Sequence, residues 1–125
     1  MTTISATSGH PLSNVTLSSG DSIVFSPGGV AYATTVLGGA VLYDAGSTVG
    51  TIVRAGGTED VTNFGSAIGT TVLSGGTQLV DGFYSYQGRA TDTTIDSGGF
   101  AAVSGVLSGA TVEAGGTLAM RYSLF

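Results

Sequence analysis

The 125-residue chain contains no cysteine and only three basic residues, and charged residues of both signs make up just 9% of it. The absence of cysteine excludes disulfides and thiolate metal sites. Three arginines and no lysine, against eight acidic residues, leave no basic stripe that could neutralise nucleic-acid phosphates or bind an anionic membrane surface. The sequence therefore predicts no nucleic-acid partner.

Residue types that carry catalysis are also scarce. His10 is the only histidine, so neither a Ser-His-Asp triad nor a histidine zinc site is expected. Asp92 and Asp96 are close enough in sequence to be considered as an acid and base pair, but the carboxylates as a whole are spread along the chain. We therefore expect the protein not to be an enzyme, to hold no cofactor or metal, and to use its carboxylates as solubilising surface charges.

An uncharged stretch at residues 23–43 is long enough to be considered as a membrane span. It contains Pro27 and two glycine pairs, and it keeps the spacing of the rest of the chain, so no membrane insertion is expected. Residues 1–5 have neither the basic nor the apolar region of a secretory signal. The expectation is an excerpt of a longer chain or export by another route.

Glycine, by contrast, is abundant at 22 residues, and it is arranged in a repeat. A β-branched residue is followed three positions later by a Gly-Gly pair, and the pairs recur at intervals close to 19 residues. Such a period is typical of stacked units that bury a core only against each other, with glycine turning a corner in every unit. The turn glycines predicted in this way are Gly38, Gly39, Gly56, Gly57, Gly75, Gly76, Gly98, Gly99, Gly115 and Gly116.

Threonine and a β-branched residue before each pair, and a further valine and glycine after it, predict two short strands and two glycine turns per unit. Alternate residues of such strands point inward and stack about 4.8 Å from their equivalents in the next unit. We therefore predict an all-β parallel solenoid of about six turns with a narrow, dry core. Its inward ladders are Val36, Val53, Val72, Ile95 and Val112 on one side, and Val61, Val80 and Val103 on the other.

The combined pattern resembles a known family. Segment 69–80, which reads Gly-Thr-Thr-Val-Leu-Ser-Gly-Gly-Thr-Gln-Leu-Val, is similar to the repeats in passenger domains of self-associating bacterial autotransporter adhesins of the AIDA type. The similarity extends over residues 34–120. It implies a right-handed parallel β-helix that lies outside the cell or on the bacterial surface and mediates adhesion or self-association.

The resemblance also implies a modification. Some members of this family are O-heptosylated on serine or threonine by a dedicated glycosyltransferase. The implied partners are therefore such an enzyme, other copies of the chain, and a host surface or glycan. The hydroxyl groups beside the predicted turns are the acceptor candidates, namely Thr58, Ser74, Thr77, Ser97, Ser108 and Thr117.

The two ends of the chain depart from the repeat. Residues 1–33 carry only degenerate copies and are predicted to form the first rungs or an N-terminal cap, residues 34–120 the solenoid, and residues 121–125 a C-terminal strand end. An uncapped terminal rung exposes unpaired backbone groups to which another copy can add. We therefore expect homo-association, end to end or side to side.

One repeat is longer than the others, with 23 residues between Gly75 and Gly98. The extra residues predict a loop with aromatic and basic side chains, which commonly form partner-binding surfaces. A loop that folds back over a seam of the core is the competing interpretation. The proposed partner-binding residues are Phe83, Tyr84, Tyr86 and Arg89.

Two other function classes are compatible with a β-solenoid. A carbohydrate-active β-helix, whether a lyase, a hydrolase or a sugar-binding module, would gather its carboxylates on one face. An ice-binding solenoid would present a flat file of threonines. The file available here is Thr35, Thr71, Thr94 and Thr111, with Ile52 interrupting it.

Overall fold

The computed structural model describes residues 2–62, 64–82 and 87–120. Throughout these residues the chain forms short strands and no helix, and each strand pairs in parallel with its equivalent one turn away. A single antiparallel bridge joins Thr7 and His10. The prediction of an all-β parallel solenoid of about six turns is confirmed.

Each complete rung of the described coil contains three strands. Rungs 1 and 2 contain β1 (Thr3–Ala6), β2 (Leu12–Ser13), β3 (Thr16–Leu17), β4 (Ser22–Phe25), β5 (Val30–Tyr32) and β6 (Thr35–Val36). Rungs 3 and 4 contain β7 (Val41–Asp44), β8 (Ser47–Val49), β9 (Ile52–Val53), β10 (Thr58–Val61), β11 (Ser66–Ile68) and β12 (Thr71–Val72). Rungs 5 and 6 contain β13 (Thr77–Val80), β14 (Arg89–Thr91), β15 (Thr94–Ile95), β16 (Phe100–Val103), β17 (Val106–Ser108) and β18 (Thr111–Val112), and β19 (Thr117–Met120) follows them.

The strands stack into three faces. The first face consists of every third strand from β1 to β19, paired as β1 with β4 and as a five-stranded sheet from β7 to β19. The second face is a six-stranded sheet from β2 to β17, and the third is a six-stranded sheet from β3 to β18. Stacked strands keep the same alternation of inward and outward residues, because side chains alternate with a period of two.

The prediction of two strands per unit was wrong. A further corner separates the second face from the third, and the chain turns there through a single residue with positive φ. In three rungs that residue is not glycine, so the corner has no glycine-pair signature in the sequence. The residues at this corner are Asn14, Ala33, Gly50, Gly69, Asp92 and Gly109, with φ between 56° and 73°.

The glycine pairs turn the corner between the third and first faces. Gly75 has a φ of 81°, and its amide donates to the carbonyl of Gly98 in the next rung at 2.9 Å. At Gly76 a Cβ atom would lie 2.6 Å from the carbonyl oxygen of Val53 in the preceding rung. The first glycine is therefore required by its backbone angle and the second by the close approach of two rungs.

The shortened Gly38-Gly39 copy is offset by one residue. Gly39 has a φ of 82° and its amide donates to the carbonyl of Gly56 at 3.0 Å, so Gly39 is the equivalent of Gly56, the first glycine of its pair. Ala40 then occupies the second position. The repeat from Gly39 to Gly56 is two residues shorter than the usual repeat. In such a repeat, the glycine spacing in the sequence does not show which glycine takes the first position of the corner.

Apolar side chains fill part of the interior. The first-face ladder of Val61, Val80 and Val103 is fully buried. On the third face the buried ladder starts one rung earlier than predicted, and Val112, predicted to point inward, is 42% exposed because no described strand of that face follows β18. The buried third-face residues are Leu17, Val36, Val53, Val72 and Ile95.

Candidate functional site

The middle of the coil has a polar interior, whereas the sequence predicts an interior lined by valine and isoleucine. Glu59 and Gln78 are fully buried and stand in register with Leu42 on the first face. Asp44, at the inner end of β7, is also fully buried. Three buried threonines, Thr48, Thr70 and Thr93, complete the set, which we call the interior network.

Hydrogen bonds join this network across rungs 3 to 5. The Gln78 amide donates from Nε2 to Glu59 Oε1 at 2.8 Å, and Thr70 Oγ1 donates to the same oxygen at 2.9 Å. Thr93 Oγ1 donates to Gln78 Oε1 at 3.1 Å, which leaves Nε2 directed at the carboxylate. The Gln78 amide thus bonds to Glu59 in the preceding rung and to Thr93 in its own rung.

The second carboxyl group is reached through a hydroxyl. Thr48 Oγ1 lies 2.9 Å from Asp44 Oδ2 and 3.1 Å from Glu59 Oε2. The amide of Gly46 donates to Asp44 Oδ1 at 3.2 Å. Two carboxyl groups thus share one hydroxyl within the coil.

Burial changes the acidity of these carboxyls. Loss of hydration, followed by the nearby charge of Glu59, raises the pKa of Asp44 to about 8. Burial also raises the pKa of Glu59, although hydrogen bonds from Gln78, Thr70 and Thr48 oppose that shift. The expectation that the carboxylates are solubilising surface charges was therefore wrong for Asp44 and Glu59.

A sequence signal for this interior existed. Strand residues two apart share a side of the sheet, so placing Val61 inward also places Glu59 inward. The same argument places Gln78 inward with Val80. Buried charge is rare in proteins, so composition alone favours a surface position for such a residue.

On the outer surface, the acceptor candidates fall into separate columns. Ser74 and Ser97 are exposed at the glycine-pair corner, where a side chain at the next rung's Gly98 or Gly115 would collide with their hydroxyls. Thr58 and Thr77 are half-buried in register on the first face, and the exposed Thr117 follows them beyond Phe100. Ser108 is exposed at the end of β17.

The longer rung is closed at its base. Phe83, Tyr84 and Tyr86 lie outside the described residues. The amide of Gly88 donates to the carbonyl of Asp81 at 2.7 Å, which brings the two ends of the insertion together. Arg89 is exposed, but it is the first residue of β14 and pairs with Ser66, so it belongs to the second face rather than to the loop.

Several large apolar residues that sequence reasoning did not single out are displayed on the surface. Tyr43 and Phe100 project from the first face, with 56% and 38% of their surface exposed. Phe64 is 64% exposed near the corner that follows. Tyr32 and Ile68 are exposed on the second face. Outward positions of a half-buried strand carry such residues without any distinguishing sequence signal.

The threonine file lies on the outer side of the third face. Thr35, Thr71, Thr94 and Thr111 share one column with Thr16, and Ile52 occupies it in rung 3. The threonines that immediately precede this column point inward and are buried. Leu37, Arg54 and Leu73, two positions after it, do not supply a second threonine file.

Asp60 and Asp81 form a pair of carboxyl groups on the outer surface. Asp60 and Asp81 belong to adjacent rungs, and burial together with a hydrogen bond and charge from Asp81 raises the pKa of Asp60 to about 7. Among the described residues, no group of three or more histidine, cysteine or acidic side chains is placed to hold a metal ion. Nor does any helix in the described ranges have the length and apolarity to span a membrane.

No family model matches the chain, and no curated protein matches it. Among solved structures, the chain is similar to a hyper-glycosylated fragment of TibA, an autotransporter adhesin, whose glycosylation was catalysed by TibC. The two share 30% sequence identity with a TM-score of 0.81 over 95% of this chain.

The resemblance to AIDA-type repeats is confirmed. The chain spans 50% of the TibA fragment, so the shared part is the repeat coil. The TibA fragment is an adhesin fragment that TibC has glycosylated. The comparison therefore supports an adhesin-type β-solenoid for this chain.

Proposed function

We propose that the chain is a structural and adhesive module of the bacterial surface or the extracellular space, without catalytic chemistry of its own, and that it accepts O-linked sugars. The observation that carries this proposal is the likeness to the glycosylated TibA fragment over nearly the whole chain. The surface supports it, since serine and threonine hydroxyls recur there in columns with the spacing of the rungs.

Ser74 and Ser97 are the preferred acceptors. Both are exposed at a convex corner, where the adjacent glycines leave the approach to the hydroxyl free of side chains. Ser108 and Thr117 are exposed as well. Thr58 and Thr77 are half-buried within a sheet, so a glycosyltransferase of the TibC type would modify them later or not at all.

Intact-mass measurement after co-expression with TibC tests this proposal. We expect heptose-sized increments on the wild-type chain and fewer on the Ser74→Ala/Ser97→Ala double variant. Ser66→Ala is the matched control, because Ser66 is an outward hydroxyl of β11 away from the glycine pairs. An unmodified wild-type chain, or equal increments on the double variant and the wild type, would contradict the proposal.

Adhesion is assigned to the surface rather than to the interior. The exposed aromatic residues of the first face, Tyr43 and Phe100, and the exposed Arg89 of the second face offer the contacts that partner surfaces commonly use. Phe83, Tyr84 and Tyr86, which lie outside the described residues, are proposed as further contacts. The proposed partners of this surface are another copy of the chain, or a host surface or glycan. A concentration series by light scattering tests the first of these, and a strict monomer at high concentration would exclude it.

A carbohydrate-active β-helix is the alternative, and one observation favours it. Asp60 has a pKa of about 7 beside Asp81, which is the range in which a carboxyl can act as a general acid near neutral pH. Release of reducing or unsaturated sugar ends from bacterial polysaccharides would support it. We expect none, because the other described carboxyl groups of the surface are not gathered around this pair.

A further inference from the structure

The interior network poses a problem of hydrogen counting. Thr48 Oγ1 is within hydrogen-bond distance of both Asp44 Oδ2 and Glu59 Oε2. Each of these two contacts requires a hydrogen atom, and a threonine hydroxyl has only one. If both carboxyls were ionised, the lone pairs of Thr48 would face the negative charge of one of them. The second hydrogen must therefore come from a carboxyl group.

The remaining contacts decide which carboxyl carries it. Glu59 Oε1 accepts two further hydrogen bonds, from Thr70 and from the Gln78 amide, at 2.9 and 2.8 Å. Asp44 accepts only one further bond, the longer one from the amide of Gly46 at 3.2 Å. An ionised carboxylate is stabilised by the number of donors that reach it. The charge therefore belongs on Glu59 and the hydrogen on Asp44.

We infer that rungs 3 and 4 are held together by one trapped proton: Asp44 is a neutral carboxylic acid that donates to Thr48, and Thr48 donates in turn to an ionised Glu59. The other donors of the network, the Gly46 amide, Thr70, Thr93 and the Gln78 amide, keep their acceptors in this arrangement. The amide of Gly46 meets the carbonyl oxygen of the acid, Oδ1, and the acidic hydrogen lies on Oδ2.

No other charged group enters the network from the described elements packed against it. Thr48 faces it from β8, Thr70 from the turn before β12, and Gln78 from β13. The buried titratable residues of the described chain are Asp44 and Glu59. The other titratable and charged groups lie outside the interior: Asp60 and Asp81 are on the outer side of the first face, and Arg54 and Arg89 are exposed.

The trapped proton couples the cohesion of the coil to pH. The pKa of Asp44 is about 8 in the folded chain, against 3.8 for an ordinary aspartate. Between these two values the folded chain holds a proton that the unfolded chain releases, so stability falls as pH rises and the loss is complete above pH 8. Asp44 alone should make the unfolding equilibrium constant rise about tenfold per pH unit in this window, and Asp60, whose pKa is about 7, adds a dependence of the same sign that ends near pH 7. The coil is thus most cohesive in acidic surroundings.

Urea unfolding between pH 5 and pH 8 tests the inference. Asp44→Asn presents an amide NH₂ to Thr48 in place of the acidic hydrogen, so it should remove the contribution of Asp44 and leave only the dependence due to Asp60, which ends near pH 7. Asp60→Asn is the matched control, since it removes the other aspartate with a raised pKa while leaving the trapped proton. It should keep the dependence up to pH 8. An unchanged pH dependence in Asp44→Asn would overturn the inference.

A second measurement decides the question even if Asp44→Asn does not fold. In ¹³C NMR of the wild-type chain at pH 6, the carboxyl carbon of Asp44 should have the shift of a neutral acid and that of Glu59 the shift of a carboxylate. In Glu59→Gln, the new amide supplies the second hydrogen to Thr48 and the nearby charge is lost, so the Asp44 carbon should reach the carboxylate shift at a lower pH than in the wild-type chain. Two carboxylates in the wild-type chain at pH 6, or a neutral Glu59, would overturn the inference.

Discussion

Rungs 1 and 2 and rungs 3 to 5 share a backbone but differ in what fills them. The interior of the first two rungs is apolar, with Ala6, Leu17 and Ile23 packed in one cluster. In rungs 4 and 5 the first-face position held by Ile23 is occupied by Glu59 and Gln78. The parallel hydrogen-bond ladders between strands determine the shape of the coil. The interior can therefore differ from rung to rung, provided that its buried polar groups find hydrogen-bond partners in the same or a neighbouring rung.

Threonine shows the difference most plainly. Thr34 and Thr70 belong to the same inward column and both are buried. Thr70 donates to Glu59, whereas the hydroxyl of Thr34 has no hydrogen-bond partner because rung 2 supplies an apolar residue instead. The same residue type therefore stabilises one rung and weakens another.

The largest effect should come from replacing the buried carboxylate of rung 4 with an apolar side chain of the kind that fills the first rungs. Glu59→Leu copies the residue at Leu42 and leaves Thr70 and Gln78 without an acceptor. We expect a loss of about 3 kcal/mol in the free energy of unfolding, measured by urea denaturation. Adding Thr70→Val should return part of this loss, because the unsatisfied hydroxyl is then removed. Two effects that simply add would show that the network is not coupled.

A smaller effect is expected from the hydroxyl that is used. Thr70→Val keeps the shape of the side chain but removes one of the donors to Glu59. The expected loss is about 1.5 kcal/mol in the free energy of unfolding. Thr71→Val, on the outward side of the next position, is the control and should change stability by less than about 0.5 kcal/mol. Equal effects of the two variants would mean that the hydrogen bond contributes nothing.

The smallest effect should have the opposite sign. Thr34→Val removes a buried hydroxyl without a partner and should raise the free energy of unfolding by about 1 kcal/mol. Thermal denaturation at pH 6 measures it as a higher midpoint. A lower midpoint would show that the Thr34 hydroxyl makes a stabilising hydrogen bond, which would contradict this difference between the two regions.

The sequence predicts the coil well because its strongest constraints are local. The Gly75-Gly76 pair combines a left-handed turn with close approach of two rungs, and Val72 before it is strand-favouring. The third corner was missed because Asn14, Ala33 and Asp92 adopt positive φ there without a glycine to mark it. Such residues reach this conformation only when the tertiary structure imposes it.

The interior network was harder to predict for a different reason. Glu59 and Gln78 could have been placed inward from the alternation of their strands. The partners of Glu59 are Thr48 and Thr70, which lie 11 residues to either side of it and outside the first face. Because the rungs differ in length, the same spacing does not identify such partners in other rungs. The contacts therefore depend on three-dimensional register, which the period of the repeat does not specify.

Rungs 3 to 5 enclose a hydrogen-bonded network of polar side chains, and hydrogen exchange of the two glutamine side chains tests this most directly. Gln78 is fully buried and bonded to Glu59 and Thr93, whereas Gln87 is exposed. In NMR exchange measurements the Nε2 hydrogens of Gln78 should be strongly protected, and those of Gln87 should exchange at the rate of a free side chain. Equally fast exchange of both glutamines would contradict the account.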